Sequence, residues 1–204
     1  MKTKQVSLIL GSAAIICSSA SANLIINGDF ETGITGTGYV GAGYTNEIGT
    51  FAPEITENPF TNDTSESNWV IVGGYQSAAF VDLVSPGSGW GVKMGNYSSS
   101  TVTNTATLSL AAGDYIFSVD HWGGNTGSEL PTGSQFTATL IGVNSTTGID
   151  QVIGTFTDTT DGSVQVSSTT FTLPVAGEYQ LQLAGPDEDA NKAWLDNISL
   201  TAAP

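Results

Sequence analysis

One carboxylate near the carboxyl end of the chain has a position that a bound hard cation would explain. Asp196 lies in an apolar stretch, among residues expected to form the core. Calcium accepts carboxylate and carbonyl oxygens in irregular shells. The sequence has no arginine, and only two of its four lysines follow residue 22. With so few cationic side chains available, a bound cation is the natural partner for this carboxylate.

Asp196 alternates with the apolar residues of a predicted final strand. Ile198 and Leu200 are expected to face the core, and Trp194 and Asp196 share their parity. An unpaired carboxylate on an inward face is strongly destabilising unless it becomes protonated. Calcium binding at Asp196 is therefore favoured over the alternative, a strand-end carboxylate that is solvated or capped by backbone N–H groups.

His121 is the only histidine, and it lies between Asp120 and Trp122. A histidine beside an aspartate can act as a general base, but nucleophilic chemistry also needs a positioned nucleophile. The sequence contains no Gly-x-Ser-x-Gly pattern. We therefore predict no catalytic residue and interpret His121 as a strand-end or ligand-contact residue.

Aromatic side chains are the candidates for ligand contact. A ring stacks on the apolar face of a sugar while Asn, Gln and Asp side chains bind its hydroxyls. Trp69 and Trp194 are predicted to pack in the core, because Trp69 lies in an alternating strand and Trp194 shares the parity of the core positions. Four other rings lie near Gly or Ser at predicted strand ends, where a ring can be exposed, and with His121 they form the predicted ligand site: Trp90, Trp122, Tyr75 and Tyr97.

Alternating apolar and polar residues predict β-strands along most of the chain, and no stretch of a dozen residues has helical periodicity. Strands are predicted near 23–27, 68–73, 78–83, 90–94, 101–110, 114–121, 135–143, 150–157, 164–173, 178–184 and 193–201. Eleven short strands with regular turns favour an all-β fold, an antiparallel two-sheet β-sandwich of the jelly-roll kind. Residues 32–67 are rich in Gly and Asn and are predicted to form a long loop.

One turn sequence occurs twice. Residues 110–115 (Leu-Ala-Ala-Gly-Asp-Tyr) resemble residues 173–179 (Leu-Pro-Val-Ala-Gly-Glu-Tyr), with one residue inserted. In both, a strand ends in Leu, the chain turns through Ala-Gly-acid, and the next strand begins with an inward Tyr. We interpret this as one hairpin device used twice. Another acidic run, residues 187–189, is interpreted as a solvated loop, with a second cation site left open.

The first 22 residues have the pattern of a secretory signal peptide. Lys2 and Lys4 precede a short apolar run, and Ala20-Ser21-Ala22 supplies a small-residue cleavage site. The exported protein is expected to start at Asn23 and to form a single domain over residues 23–204. Cys17 is the only cysteine, so the exported chain has no disulfide and depends on packing or on a metal for stability.

The strongly acidic composition limits the possible partners. The net charge is −15, and it becomes −17 once Lys2 and Lys4 leave with the signal peptide. Nucleic acids and anionic membrane surfaces need a basic patch, so both are excluded as partners. A neutral polysaccharide or oligosaccharide meets no such electrostatic barrier.

Both ends of the exported chain resemble a known family. Residues 23–33 (Asn-Leu-Ile-Ile-Asn-Gly-Asp-Phe-Glu-Thr-Gly) resemble the opening of carbohydrate-binding modules with a galactose-binding-like jelly-roll fold. Residues 193–200 (Ala-Trp-Leu-Asp-Asn-Ile-Ser-Leu) resemble their last strand. The resemblance implies that the first and last strands lie side by side, tied by calcium. It gives Glu31 and Asp196 as ligands, Asn27 and Asp29 as weaker candidates, and backbone carbonyls to complete the shell.

The resemblance implies a secreted, calcium-stabilised protein that binds carbohydrate without cleaving it. Two alternatives stay open, because fold does not determine function. One is a structural or adhesive extracellular surface protein. The other is a calcium-dependent cyclase on the same fold, with an aromatic pocket and a carboxylic acid. An open groove with exposed rings would favour the binding protein, and a closed pocket with one acid the enzyme.

Overall fold

The structure is a computed structural model that describes residues 22–32, 34–35, 61–62, 68–73, 78–82, 90–94, 100–123, 135–143, 149–157, 163–185 and 193–204. Within these ranges the regular structure is entirely β. None of the described residues forms a helix of the length and apolarity that a membrane span requires.

Thirteen strands are present in the described part of the chain. They are β1 (Ile34–Thr35), β2 (Thr61–Asn62), β3 (Trp69–Gly73), β4 (Ala78–Asp82), β5 (Trp90–Met94), β6 (Ser100–Asn104), β7 (Leu108–Leu110), β8 (Gly113–Gly123), β9 (Gln135–Gly142), β10 (Gln151–Thr157), β11 (Gln165–Leu173), β12 (Gly177–Ala184) and β13 (Ala193–Ala202).

Eleven of these strands form two antiparallel sheets. The five-stranded sheet has the order β11-β8-β13-β5-β4. The six-stranded sheet has the order β10-β9-β12-β6-β3, and β7 pairs with the end of β12. The predicted all-β sandwich of jelly-roll kind is therefore confirmed. Within the predicted long loop, β1 and β2 form a two-residue antiparallel ribbon.

The core lies between the sheets and follows the predicted alternation. The buried positions come from every second residue of the long strands, as expected for sheets with one solvated face. Three of them are aromatic rings from both sheets: Phe117 lies 5.3 Å from Phe156, which lies 5.1 Å from Phe136, between ring centroids. Fully buried aliphatic side chains complete the core, among them Val119, Ala138, Leu140, Leu181, Leu183 and Leu200.

Two predicted strand boundaries are wrong. Residues 26–29 form a turn and not a strand, although the segment does lie beside the last strand. The Leu24 N–H donates to the Leu200 carbonyl at 2.8 Å, and the Ile198 N–H donates to the Gly28 carbonyl at 2.8 Å. The predicted strand near 101–110 is divided, because β6 ends at Asn104 and β7 begins at Leu108.

The repeated turn sequence has the same structural role in each sheet. The Tyr115 hydroxyl donates to the Ala111 carbonyl at 2.9 Å, and the Tyr179 hydroxyl donates to the Val175 carbonyl at 2.8 Å. Each Tyr is buried and thus fastens the turn that precedes its own strand. The repeated use of one turn is therefore confirmed, but the interpretation of it as a hairpin is wrong. Each turn passes from one sheet to the other, because β7 pairs with β12 and β11 pairs with β8.

Removing either hydroxyl should destabilise the fold modestly. Tyr115→Phe and Tyr179→Phe each leave a turn carbonyl without its donor, which is expected to lower the free energy of unfolding by about 1 kcal/mol. The two turns lie side by side, with Leu173 opposite Gly113 and Gly177 opposite Leu110. The departure of the double variant from the summed loss of about 2 kcal/mol therefore measures the coupling between them. Urea unfolding monitored by circular dichroism measures this. Thr172→Val removes an exposed hydrogen bond to Asp114 and is the control, with a smaller expected effect; an equal loss there would contradict the role of the tyrosines.

Candidate functional site

The loop of residues 27–32 is closed by its own side chains. Asn27 and Phe30 have left-handed φ angles of 53° and 58°. The Asn27 amide donates to the Thr32 carbonyl at 2.9 Å, and its oxygen accepts from the Thr32 N–H at 2.9 Å. The Phe30 N–H donates to the Asn27 carbonyl at 3.1 Å. Asn27 thus organises the loop, and its side-chain oxygen is engaged there.

The loop packs closely against the last strand. A Cβ at Gly28 would clash with the Ile198 carbonyl oxygen, so this approach requires glycine. Asn23 adds three hydrogen bonds: its side-chain oxygen accepts from the Ile25 and Leu200 N–H groups, and its amide donates to the Ile198 carbonyl. The opening sequence is therefore fastened to β13 over its whole length.

The same loop is also anchored to the six-stranded sheet. The fully buried Phe30 ring lies 4.9 Å from the Trp69 ring, between centroids. The Trp69 indole N–H donates to the Asn27 carbonyl at 2.7 Å, and the Asn104 amide donates to the Ile26 carbonyl at 3.0 Å. The loop thus joins both sheets, and Trp69 is a core residue as predicted.

The last strand contains a bulge that reverses the parity of its first half. Asp196 pairs with Asp120 and Ser199 pairs with Ser118, so two residues of β13 oppose Val119 alone. The extra residue shifts the alternation by one position. The predicted inward orientation of Asp196 is therefore wrong. Asp196 lies on the outer face of the sheet, yet only 7% of its surface is exposed.

Asp196 is surrounded by other carboxylates. Burial raises the pKa of Asp196 from 3.8 to about 7, and the negative charges of Asp120, Glu31 and Asp29 add to the increase. A hydrogen bond from the Asn197 N–H at 2.7 Å acts in the opposite direction. The charged neighbours that shift this pKa are all acidic. Two other predicted ligands, Asp29 and Glu31, thus lie near enough to Asp196 to raise its pKa.

Asp120 is a fourth member of this carboxylate cluster, and the sequence analysis did not include it. Asp120 is the cross-strand partner of Asp196, and the Asn197 amide lies between them, 3.0 Å from an oxygen of Asp120 and 3.3 Å from one of Asp196. Only the register of β8 against β13 reveals this pairing. The position of Asp120 beside His121 in the sequence gave no signal of it.

The donors present fit a hard cation. All four charged groups of the cluster are carboxylates, and oxygen is the donor that calcium prefers. In the described part of the chain, no group of three or more His, Cys, Asp or Glu side chains is placed so that it could hold a metal ion by itself. A cation here would therefore also need backbone oxygens. A polar depression of about 370 Å³ lies between the loop and β13, lined in part by Asn27, Asp29 and Asn197.

Trp122 was predicted to be exposed, and this is wrong. Only 4% of its surface is accessible, and its ring stacks on Trp194 with centroids 6.2 Å apart and planes at 25°. The two residues are cross-strand partners, so their side chains project to the same face of the sheet. That is the outer face, which also carries Asp196. Trp194 is buried, but on this outer face and not in the core position that was predicted.

His121 is a core residue and not a strand-end contact. It is 1% exposed and faces the six-stranded sheet, with Phe136 and Phe156 edge-on at 5.6 and 6.5 Å between centroids. Its Nε2 atom lies 2.7 Å from the Ser167 hydroxyl oxygen. The neighbouring Trp122 points to the opposite face, because successive strand residues alternate.

Of the four predicted ligand rings, Trp122 lies at one end of the five-stranded sheet. Four strands of this sheet begin or end level with one another here, at Met94, Ala193, Gly123 and Ala78. Tyr97 follows β5, Tyr75 precedes β4, and Trp122 is the last residue but one of β8. Tyr75 and Tyr97 lie outside the described residues, as do residues 187–189.

Trp90 lies at the other end of β5 from Met94, which is level with the Gly123 end of β8 and so with Trp122. It is the first residue of β5 and pairs with Asp82, the last residue of β4. Its side chain is outside the described residues. The four positions of β5 that separate it from Met94 correspond to about 14 Å along the strand. Trp90 and Trp122 are therefore not brought together.

No protein-family model and no curated protein matches the chain. Similar solved structures include a family 61 carbohydrate-binding module with β-1,4-galactotriose (12% identity, 66% of this chain and 88% of that one, TM-score 0.46). A Cellvibrio mixtus lichenase 5A module with cellotriose has 15% identity, 63% and 89% coverage, and a TM-score of 0.44. A family 35 carbohydrate-binding module from Clostridium thermocellum has 13% identity, covers 66% of this chain and 92% of its own, and has a TM-score of 0.46. Carbohydrate-binding modules are thus among the solved structures that this chain resembles, at low sequence identity. An adhesin domain of Lys-gingipain and a bacteriophage CBA120 tailspike domain resemble it to the same degree, each with a TM-score of 0.45.

Proposed function

We propose that this chain is an exported, calcium-stabilised jelly roll that binds a neutral carbohydrate and does not cleave it. The observation that supports this best is the loop of residues 27–32 on β13. It brings Asp29 and Glu31 to Asp196, in the arrangement that the resemblance of the two chain ends implies. The signal-peptide pattern supports export.

Calcium would be held by the carboxylates of Asp196, Glu31, Asp29 and Asp120 together with backbone oxygens. Its charge would offset their mutual repulsion and hold Asp196 ionised in its buried position. The loop is already fastened to both sheets by hydrogen bonds and by Trp69. The cation would add a further link between the beginning and the end of the domain.

Carbohydrate would bind through the rings of Tyr75 and Tyr97. Such rings can stack on sugar faces, and neighbouring Asn and Ser side chains can bind the hydroxyls. The net charge of −15 disfavours acidic polysaccharides and leaves neutral ones unaffected. Trp122 is buried in its stack on Trp194 and would not contact the sugar.

The enzyme alternative requires a different state of Asp196. Asp196 lies two residues from the stacked Trp194, and its raised pKa would suit the proton donor of a cyclase. A calcium-bound carboxylate is ionised and donates no proton. Calcium binding at Asp196 and catalysis by its carboxylic acid therefore exclude each other, and the calcium response separates the two functions.

Ring substitutions test the carbohydrate site. Tyr75→Ala and Tyr97→Ala are each expected to weaken binding about fivefold, which corresponds to about 1 kcal/mol per stacked ring. Trp90→Ala, at the first residue of β5, is the matched control and should leave binding unchanged. Affinity electrophoresis in gels containing soluble neutral polysaccharides measures all three. Unretarded migration of the wild type across a broad neutral panel would contradict carbohydrate binding, and an equal loss in Trp90→Ala would contradict the site.

A further inference from the structure

Strand β11 lies at the edge of the five-stranded sheet. It pairs with β8 along all nine residues from Gln165 to Leu173, without a bulge. Among the described residues, β8 is its only strand partner. The far side of an edge strand presents backbone N–H and C=O groups that can pair with another strand. β11 thus offers a long and regular edge.

This edge lacks the features that protect most edge strands. Proteins protect their edges with charged residues, proline or bulges, and the β11 sequence Gln-Val-Ser-Ser-Thr-Thr-Phe-Thr-Leu has no charge and no proline. By contrast β10, the edge of the other sheet, has a bulge between Val152 and Gly154 and follows Asp150. The outward side chains of β11 are exposed, and Val166 is 69% accessible.

We propose that β11 is a self-association edge, at which a second copy of this chain adds its own β11 in antiparallel register. A two-fold axis at Thr169 places Ser168 opposite Thr170 and Val166 opposite Thr172. Hydroxyl and β-branched pairs of this kind stabilise antiparallel neighbours, and no like charges face each other. The two five-stranded sheets become one continuous sheet of ten strands.

The charge of the chain determines how this contact responds to salt. Among the described residues, the acids nearest to β11 on this face are Asp114 and Asp120, one strand inward on β8. Across the pair of edges, the two β8 strands are three strand spacings apart, about 14 Å. That distance is shorter than the Debye length of about 30 Å at 0.01 M salt and longer than that of about 8 Å at physiological ionic strength. Salt therefore screens the repulsion between the two acidic copies and should strengthen self-association, whereas a basic partner protein would bind more weakly.

The association should also be weak and reversible. A single edge of nine residues buries less area than the interface of a stable dimer, which needs about 800 Å² per partner. Dimers should therefore appear only as the protein concentration rises. This favours a contact between copies that are held close together, for example on a polysaccharide that several copies bind.

Sedimentation velocity of the exported protein tests the proposal, over a series of protein concentrations and at about 0.01 M and 0.5 M NaCl. We expect a dimer that increases with both. Ser168→Lys should weaken dimerisation at least about tenfold, because a charge on the edge blocks pairing. It does so although lysine lowers the net negative charge, which alone would favour association. Thr155→Lys, exposed on β10, is the matched control and should leave the dimer unchanged.

Hydrogen exchange provides a second readout that does not depend on a variant. Amides of residues 165–173 should exchange more slowly at high protein concentration, and those of β10 should not. A wild type that stays monomeric at every salt and protein concentration would overturn the proposal. So would a dimer that weakens with salt, or equal effects of Ser168→Lys and Thr155→Lys. Thermal melts of both variants verify that each is folded.

Discussion

Trp69→Ala is expected to lower the free energy of unfolding by about 3–5 kcal/mol, the range for removing a buried aromatic side chain. Trp69 is fully buried, contacts Phe30 and donates its indole N–H to the Asn27 carbonyl. The substitution leaves a cavity in the core and removes one anchor of the 27–32 loop. Equilibrium unfolding in guanidinium chloride measures the loss.

Trp69→Phe separates packing from hydrogen bonding. It keeps an aromatic ring beside Phe30 but removes the donor to Asn27, so we expect a smaller loss, about 1–3 kcal/mol. The loop should also become less protected in hydrogen exchange in both variants. A Trp69→Ala loss below about 1 kcal/mol would show that the ring does not support the core as its burial implies.

The sandwich could be predicted from the sequence because its strands carry their pattern locally. In β9, Phe136, Ala138 and Leu140 alternate with threonines, and all three are buried. Such a period of two depends only on residues close in the chain. The repeated turn was also recognisable, because each copy places its Tyr a few residues after the carbonyl that it binds.

The orientation of Asp196 could not be predicted in the same way. Its parity was read from Ile198 and Leu200, and the bulge between them and Asp196 reversed it. The local signal of the bulge is Asn197, with a left-handed φ of 49°. Asparagine is enriched in that conformation but adopts others too. One inserted residue was therefore enough to move a correctly chosen carboxylate to the other face.

The placement of Trp122 depended on register, which is not encoded locally. Its neighbour Gly123 suggested an exposed strand end, but the residue opposite it in β13 is Trp194. These two positions are 72 residues apart in the sequence. Pairings over such separations determine which side chains stack and which carboxylates meet. The same register created the Asp120–Asp196 pair that the sequence analysis missed.

The stability of the calcium-free protein is expected to fall as the pH rises from about 4 to 8. The pKa of Asp196 is raised from 3.8 to about 7 in the folded state. The unfolded chain therefore loses this proton at lower pH than the folded one. The stabilisation is fully present below pH 4 and is lost as the pH passes 7. The ceiling for three pKa units is about 4 kcal/mol, and solvent screening reduces the expected loss to about 2 kcal/mol.

Calcium should remove this loss, because it binds the ionised carboxylate and replaces the proton. A ligand that binds only the folded state adds about 2.7 kcal/mol at a hundredfold excess over its Kd. Melting curves with chelator and with calcium, at pH 5 and pH 8, measure both effects. We expect chelation to lower the Tm by several degrees at pH 8 and by less at pH 5, where protons compete with the cation.

Asp196→Asn is the decisive variant, because it keeps the shape of the side chain and removes its charge. In the presence of chelator, it should abolish the fall in stability with pH that Asp196 causes. At pH 8, it should also remove most of the increase in Tm that calcium produces. Asp114→Asn is the matched control, because Asp114 is an exposed carboxylate on the outer face of β8. It should keep both the pH-dependent loss and the calcium response. If chelator leaves the wild-type Tm unchanged at pH 8, calcium does not bind to the folded protein. A pH-dependent loss that persists in Asp196→Asn would assign that loss to another group, and the carboxylate cluster would then lack its central member.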